Sequence, residues 1–304
     1  MKLIIALAFT FIFSSLCSQT MYQPHDMFAD MLEGDRAVVV AVHSGVADQT
    51  KRQHTIDLFN QRLRAEFPQC EFREAWTSRN QISILAQSGK FVQTPSALFA
   101  QLRKEGFTHV LVQPSCMVQC EDMRILTADA EASRPEFKSL RIGDPLLSSP
   151  DNCTKLALTI QAALAQRKQA TILVCAGTGN PMADAPYSVL DCVVRDSEIA
   201  DRCFVAIADG YPSFEVLLKR LKSAKVKKVN LVPCMFVADD DMLASLHGDW
   251  TEQLTQAGIK VEVTESNMAE LVGVLDIFAE NARRTQELRK LTPLEIKTLR
   301  RMNF

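Results

Sequence analysis

One segment of the chain is repeated without a gap. Residues 110–123 (VLVQPSCMVQCEDM) align with residues 229–242 (VNLVPCMFVADDDM), and a proline, a valine, an acidic pair and a methionine coincide. Upstream of both segments a proline marks the predicted start of a helix, at residues 94–96 (TPS) and 211–213 (YPS). The unit is much longer than the roughly 20–50 residues of a solenoid repeat. The chain is therefore predicted to contain one half-unit used twice.

Short apolar segments rich in β-branched residues alternate with longer segments of helical period. Such alternation predicts βαβ units with parallel strands. The predicted strands are residues 37–42, 70–76, 109–112, 140–142, 170–174, 202–207, 229–232 and 259–263. The expected fold is α/β, with two similar Rossmann-like lobes, each a parallel sheet of about four strands flanked by helices. The first lobe is placed at residues 34–150, a connecting helix at 151–168, the second lobe at 169–280 and a helical extension at 281–304.

The first residues have the pattern of a secretory signal peptide. Lys2 supplies a positive charge, residues 3–13 are apolar apart from one threonine, and residues 14–18 form a zone of mostly small residues. We expect a leader at residues 1–18 and export to the periplasm or the extracellular space. Cys17 leaves a lipoprotein anchor open as an alternative. No later segment approaches the roughly 20 apolar residues of a membrane-spanning helix, so none is expected in the mature chain.

Composition argues against several classes of partner. The 304 residues are 47% apolar and 23% charged, which is ample for a well-buried core and favours two domains. The net charge of -2 and the lack of a basic run argue against nucleic acid. Neither a GxGxxG nor a GxxxxGKS/T motif occurs, so no nucleotide is expected. The sequence does not determine the oligomeric state and leaves a homo-oligomer open.

Eight cysteines remain once the leader is removed, in a compartment that permits disulfides. None belongs to a CxxC pair, which argues against a zinc ribbon and a thioredoxin-type redox site. Four lie in or beside apolar strands, where a free cysteine behaves as a small buried hydrophobe. Cys116 and Cys120 are spaced as neighbours on a helix or loop, and they could offer soft metal ligands if reduced.

Open parallel sheets bind ligands beyond the carboxyl ends of their strands. This rule selects His43, Ser44, Trp76, Cys116, Cys120, Glu121, Gly177, Thr178, Asp209, Tyr211, Asp239, Asp240 and Asp241. Asp239 and Asp240 are expected to cap the following helix, whereas Asp241 is a candidate metal ligand. The Gly177 loop could hold an anion on its backbone N–H groups. His43 is the best-placed histidine for a functional role, and a purely structural role is the alternative.

Several motifs in order resemble the anaerobic sirohydrochlorin cobaltochelatase family, a branch of the class II tetrapyrrole metal chelatases. Residues 143–149 (GDPLLSS) resemble its GxPLLSS segment, and residues 183–191 look like its helix after the first metal-binding loop. Residues 209–212 (DGYP) are similar to its E-x-Y-P, and residues 233–242 resemble its PxMxVAGDHxxxDM. The resemblance implies two similar lobes and a tetrapyrrole in the cleft between them. It also implies insertion or removal of a divalent metal, cobalt or iron, in cobalamin or porphyrin metabolism.

The chain departs from that family at the positions that carry the chemistry. The family's first histidine falls on Ala176 or Gly177, its glutamate is Asp209, and its last histidine is Asp241. A first-lobe histidine falls at Cys116, with Glu121 near the family's acidic residue. The resemblance then implies catalytic and metal-binding roles for Asp209, Asp241 and His43. It implies tetrapyrrole contacts from Ser44, Gly177, Thr178, Tyr211, Cys116 and Glu121.

Two alternatives stay open because both imidazoles are missing. Neutral imidazole can hold a divalent metal and accept pyrrole protons near pH 7, whereas an exposed carboxylate is a much weaker base. The first alternative is a non-catalytic haem or corrinoid carrier that keeps the chelatase fold. The second is a two-lobed solute-binding protein unrelated to chelatases.

Overall fold

The computed structural model describes residues 25–29, 31–165 and 169–287. The predicted leader, residues 1–18, lies outside this part of the chain. The first lobe contains β1 (Ala37–His43), α1 (Gln49–Gln53), α2 (Ile56–Glu66), β2 (Glu71–Trp76), α3 (Arg79–Gln87), α4 (Pro95–Lys104), β3 (His109–Pro114), α5 (Glu121–Ser133) and β4 (Ser139–Ile142). The helix α6 (Pro150–Leu164) then leads to the second lobe.

The second lobe repeats the strand order of the first. It contains β5 (Ala170–Cys175), α7 (Pro181–Arg195), β6 (Cys203–Ile207), α8 (Phe214–Ser223), β7 (Lys228–Pro233), α9 (Asp240–Ser245), α10 (Thr251–Gln256), β8 (Lys260–Val263) and α11 (Val272–Gln286). The two four-stranded sheets have the orders β2-β1-β3-β4 and β6-β5-β7-β8, and every pair of neighbours is parallel. All eight predicted strands and the α/β fold class are confirmed.

Strand register relates the two halves residue by residue. Val42 of β1 lies opposite Pro114 of β3, and Val174 of β5 lies opposite Pro233 of β7. His43 therefore has Cys175 as its counterpart in the second lobe. The next residues along β3 and β7 likewise place Ser115 in correspondence with Cys234. The duplication seen in the sequence thus extends to the ends of the strands.

Each sheet is buried on both faces, because helices cover both sides of a parallel sheet. Along β1, Val39 and Ala41 belong to a core shared by the two lobes, whereas Val38 and Val40 belong to a core on the outer face. This alternation follows from the period of two residues along a strand. Strand β5 alternates in the same way between the shared core and a separate outer core.

An aromatic cluster lies where the lobes meet. Phe59 of α2, Phe236 after β7 and Phe278 of α11 contact one another edge to face, with ring centroids 5.2 to 5.7 Å apart. Phe59 and Phe278 are 1% exposed and Phe236 is 7% exposed. Edge-to-face contacts of this kind add to the stabilisation that burial of the rings provides. The cluster therefore joins elements from both halves of the chain.

The helix α11 returns from the second lobe to the first, where it contacts α2 and β3. The predicted boundary between the second lobe and the C-terminal extension, at residues 280 and 281, falls inside this helix. The buried face of the helix continues past the boundary to Ala282 and Thr285. Asn281 is 1% exposed and donates to the carbonyl of Pro145 over 3.0 Å. Its Oδ1 accepts from Asn152 of α6 over 3.0 Å. The segment at residues 143–149 is thereby held against α11 and α6.

The two prolines upstream of the repeated segments, Pro95 and Pro212, occupy different positions relative to the helices that follow them. Pro95 is the first residue of α4, and Thr94 caps that helix by accepting from Ala97 N. Pro212 instead precedes Ser213, the N-cap of α8, and follows Tyr211 through a cis peptide bond. The prediction that Pro212 lies in the first turn of its helix is therefore wrong. The similar sequences conceal a different chain path before the helix.

Gly45 makes a specific test of the packing at the end of β1. Its φ of +115° is a conformation that favours glycine, and a Cβ atom there would lie 2.5 Å from Cε3 of Trp76. Trp76 is fully buried and cannot move aside cheaply. We expect Gly45→Ala to lower the free energy of unfolding by about 1–3 kcal/mol.

Denaturant unfolding of Gly45→Ala and of Gly34→Ala measures this effect. Gly34 also has a positive φ, +89°, but a Cβ atom there meets nothing within 4 Å. Gly34→Ala therefore carries the backbone cost without the clash, and it should destabilise less. Equal losses in the two variants would contradict the close approach of Trp76 to Gly45.

Candidate active site

A cavity of about 680 Å³ lies between the carboxyl ends of the two sheets. Its walls come from the loops after β1 and β3 in the first lobe and after β5 and β7 in the second. Nine of the thirteen residues selected at the strand ends line it: His43, Ser44, Cys116, Cys120, Glu121, Gly177, Thr178, Asp239 and Asp240. The duplicated fold therefore brings side chains from both halves to one place.

The other four, Trp76, Asp209, Tyr211 and Asp241, do not line the cavity. Asp209 adjoins the cavity wall, because a Cβ atom on Gly177 would lie 3.0 Å from its carbonyl oxygen. Asp209 is itself exposed. Tyr211 is 62% exposed and Asp241 is exposed, and neither lines the cavity. Trp76 lies in the shared core and is fully buried. The structure therefore does not bring Asp241 together with His43.

A separate depression of about 910 Å³ lies at the amino ends of the second sheet. Several of its charged groups already have partners, because Glu262 pairs with Lys228 over 2.5 Å and accepts from Gln169 over 2.7 Å. Ligands of parallel sheets bind at the opposite, carboxyl ends of the strands. The interlobe cavity is therefore the better candidate for a functional site.

His43 has both ring nitrogens hydrogen-bonded within the protein. Asn60 donates its Nδ2 to Glu74, so its Oδ1 accepts from Nε2–H of His43 over 3.1 Å. Nδ1 then accepts the hydroxyl proton of Ser115 over 2.8 Å. The ring is 2% exposed and stacks on Phe236 with centroids 6.0 Å apart. To bind a metal, His43 would have to give up one of these hydrogen bonds.

Burial lowers the pKa of His43 below its ordinary value of 6.5, despite the opposing effects of Glu74 and the Asn60 hydrogen bond. Below pH 6.5 the unfolded chain takes up a proton that the folded protein excludes, so stability falls as the pH falls. We expect this residue to lower the free energy of unfolding by up to about 1.4 kcal/mol per pH unit.

Equilibrium unfolding between pH 7 and pH 5 checks this, with His43→Gln as the comparison. Glutamine does not titrate, so the variant should lose the part of the slope that comes from His43. The same slope in both proteins would contradict a neutral, buried imidazole.

The carboxylate of Asp122 is held by the ends of two other strands. Thr77, which follows β2, donates to Oδ1 over 2.6 Å, and Ser44, which follows β1, donates to Oδ2. Asp122 itself lies in the first turn of α5 and lines the cavity. Three strand ends of the first lobe therefore converge on one carboxylate.

Two thiols complete this part of the wall. Cys116 donates a hydrogen bond to Cys120, which lowers the pKa of Cys120 to about 7, with help from the amides of Met123 and Asp122. The same hydrogen bond, together with burial, raises the pKa of Cys116 well above its ordinary value. Cys120 is therefore the thiol of the pair that loses its proton first. All eight cysteines that the structure describes are free thiols.

Asp122 is the site residue that the strand-end rule missed. The gapless alignment of the two halves places it over Asp241, so the signal was present in the repeat. Glu121 was selected instead, but its carboxylate points to Arg124, with an N···O distance of 2.5 Å, and is exposed. The two acids are adjacent in sequence, and only the fold shows which of them is held over the cavity.

The loop after β5 is closed on itself. Asp184 of α7 accepts from both the N–H and the hydroxyl of Thr178, over 2.9 and 2.8 Å. Asn180 caps α7 by accepting from Met182 N. The Thr178 N–H is therefore already bonded to a carboxylate rather than pointing to an anion site. At the next loop, Asp239 caps α9 by accepting from Met242 N over 2.8 Å, which confirms its predicted capping role.

Two facing parallel sheets with a shared cavity define a two-lobed α/β protein. SirB from Bacillus subtilis with Fe3+ shares this fold, with a TM-score of 0.58 and 13% identity over 83% of this chain and 96% of that chain. The family profile described as cobalt chelatase (CbiK) matches residues 36–287. This chain therefore belongs to the cobalt chelatase (CbiK) family.

Two curated relatives are similar over most of their length. The sirohydrochlorin cobaltochelatase CbiKC of Nitratidesulfovibrio vulgaris is 28% identical over 238 residues, which cover 75% of this chain and 83% of the relative. The sirohydrochlorin cobaltochelatase of Salmonella typhimurium is 28% identical over 222 residues, which cover 71% and 83%. The family resemblance of the motifs is thereby confirmed. Membership sets aside the alternative of an unrelated solute-binding protein.

Proposed function

We propose that this chain binds a tetrapyrrole in the interlobe cavity and inserts a divalent metal, cobalt or iron, into it. The observation that carries the proposal is a cavity of about 680 Å³ between the carboxyl ends of both sheets in a CbiK-family chain. The two curated relatives are sirohydrochlorin cobaltochelatases, so sirohydrochlorin is the substrate to test first. A role in cobalamin metabolism follows if the inserted metal is cobalt.

Metal insertion requires groups that accept protons. Each divalent metal that enters a tetrapyrrole displaces two pyrrole N–H protons, and both must reach solvent. The cavity wall offers the Asp122 carboxylate and the Cys120 thiolate, whose pKa is about 7. His43 is less suited, because Ser115 already donates to its Nδ1. Asp209 at the rim is the remaining acid from the family pattern that adjoins the cavity.

Blocking the cavity tests where the tetrapyrrole binds. Ala176 lines the cavity at the end of β5, and a tryptophan there would fill part of the space. We expect Ala176→Trp to weaken sirohydrochlorin binding by ~10-fold or more, which is ~1.4 kcal/mol of binding free energy. The measurement is a titration of metal-free sirohydrochlorin, followed by its visible spectrum.

Met182→Trp is the matched control. Met182 is 82% exposed in the first turn of α7 and lies outside the cavity lining. It should bind as tightly as the unaltered protein. If both tryptophan variants bind sirohydrochlorin normally, the tetrapyrrole does not occupy this cavity.

A non-catalytic tetrapyrrole carrier, for haem or a corrinoid, is the second candidate function. The observation that favours it is the absence of imidazole at the family's two histidine positions, which fall on Ala176 or Gly177 and on Asp241. Both ring nitrogens of His43, the histidine that lines the cavity, are already hydrogen-bonded. A carrier would bind tetrapyrrole stoichiometrically without accelerating metal insertion. The insertion rate therefore separates the two functions.

Export is a further part of the proposal, and it is supported by the charge, apolar run and small-residue zone of residues 1–18. Mass spectrometry of the mature protein tests it. A mature N-terminus near residue 19 is the expected result, and a lipid on Cys17 would favour the anchored alternative. Retention of the full chain inside the cell would contradict export. No helix within residues 25–29, 31–165 and 169–287 is long and apolar enough to cross a membrane.

A further inference from the structure

The loop between β3 and α5 brings two thiols and a carboxylate together. One ligand atom from each of Cys116, Cys120 and Asp122 lies within 4.8 Å of the others. All three residues are half-buried and line the interlobe cavity. We infer that these three residues bind one divalent transition metal ion at the cavity wall.

The donor set defines the class of metal. Two sulfur atoms and one carboxylate oxygen suit zinc, cobalt(II) and iron(II), whereas magnesium and calcium prefer sites made of oxygen alone. Three protein ligands leave a coordination position for water or substrate, as in catalytic rather than structural sites. Binding releases the thiol proton of Cys116 to solvent, because the thiolate is the form that binds a metal.

Asp122 is already oriented for this role. The hydroxyls of Thr77 and Ser44 each donate to one of its oxygens, so the carboxylate is fixed from two strand ends before a metal arrives. Hydrogen bonds to a ligand carboxylate commonly support metal affinity in this way. Each oxygen still has a second lone pair with which to bind the ion.

The duplication shows that this donor set belongs to the first lobe. The matching loop of the second lobe has Met235 and Asp239 in place of the two thiols. Asp239 caps α9, and Asp241, the counterpart of Asp122, is exposed outside the cavity lining. The metal-binding position is therefore displaced from the second lobe, where the family motif falls, to the equivalent loop of the first.

Metal binding at this site does not depend on the proposed function. A role of the bound ion as the metal that is inserted into the tetrapyrrole does rest on the proposed function. The experiment therefore uses metal alone. The reduced protein is titrated with cobalt(II) under anaerobic conditions and followed by absorption spectroscopy. We expect one ion per chain, with sulfur-to-cobalt charge-transfer absorption in the near ultraviolet and the intense visible bands of a four-coordinate site.

The double variant Cys116→Ser with Cys120→Ser should lose the charge-transfer absorption. Cys192→Ser is the matched control, because Cys192 is an exposed thiol on α7 outside the cavity lining, and it should titrate as the unaltered protein does. Circular dichroism establishes that each variant is folded. Charge-transfer absorption that persists in the double variant, or is absent from the unaltered protein, would overturn the inference.

Thr77 is a positioning residue for Asp122, and it gives an independent readout. Thr77→Val removes the hydroxyl at nearly constant volume and should weaken cobalt(II) binding by about 10- to 100-fold. Thr77→Ser should restore the affinity. Equal affinity in all three proteins would contradict the role of Thr77 as a positioning residue for Asp122.

Failure of the metal site and failure of the proposed chelatase function give different results. Cobalt(II) binding at the thiols without metal insertion into sirohydrochlorin would leave the site standing and remove the chelatase function. Metal insertion by a protein that shows no thiolate-bound cobalt(II) would support the chelatase function and remove the metal site.

Discussion

Phe59→Ala is expected to lower the free energy of unfolding by about 3–5 kcal/mol, the usual cost of removing a fully buried phenylalanine ring. Phe59 contacts Phe236 and Phe278 with ring centroids 5.5 and 5.2 Å away, and it also meets the His43 ring at 5.1 Å. The truncation leaves a cavity among rings that belong to both lobes. The loss should therefore weaken the junction that holds the two half-units together.

Denaturant unfolding with a tryptophan fluorescence signal measures this loss. Phe91→Ala is the matched control, because Phe91 is 84% exposed and its truncation should change stability by no more than ~0.5 kcal/mol. A loss at Phe59 as small as that at Phe91 would contradict the aromatic cluster as the link between the lobes.

Asp122→Asn is expected to slow cobalt insertion into sirohydrochlorin by ~100-fold or more. Loss of a group that only orients a metal ligand costs up to about 100-fold, and loss of the ligand itself should cost at least as much. Asparagine keeps the size of the side chain but removes the negative charge that faces the metal. It also removes one of the groups proposed to accept pyrrole protons. The measurement is the initial rate of the spectral change at fixed sirohydrochlorin and varied cobalt(II).

Asp241→Asn is the control at the equivalent place in the other half. Asp241 is exposed outside the cavity lining, so its variant should retain most of the unaltered rate. The opposite outcome, a large loss at Asp241 and none at Asp122, would favour the ligand set that the family motif implies. Asp209→Ala, at the rim, tests the third acid in the same assay.

Much of the fold follows from the sequence because the signals are local and repeated. The buried strands are short runs rich in β-branched residues. Because the half-unit is duplicated, each strand predicted in one half has a predicted counterpart in the other. The family motifs agree with this pattern. Residues 143–149, for example, are held by Asn152 and Asn281, which donate to the carbonyls of Leu146 and Pro145, so this segment has a structural role.

The site follows only in part, because the strand-end rule gives positions but no directions. Trp76 ends β2 as expected, yet its ring points into the shared core and its Nε1 donates to Glu74 over 2.6 Å. His43 also ends a strand, but Asn60 comes from a helix whose approach the sequence does not specify. The repeat marks both Glu121 and Asp122, and Asp122 is distinguished from its neighbour only once Ser44 and Thr77 are seen beside it.

The initial rate of cobalt insertion into sirohydrochlorin distinguishes a chelatase from a carrier. The purified, reduced protein is mixed with sirohydrochlorin and cobalt(II) near pH 7, and the visible spectrum is followed against a protein-free mixture. We expect insertion faster than the protein-free rate, with catalytic turnover of excess tetrapyrrole. Tight binding of sirohydrochlorin with insertion no faster than in the protein-free mixture would contradict a chelatase and leave a carrier.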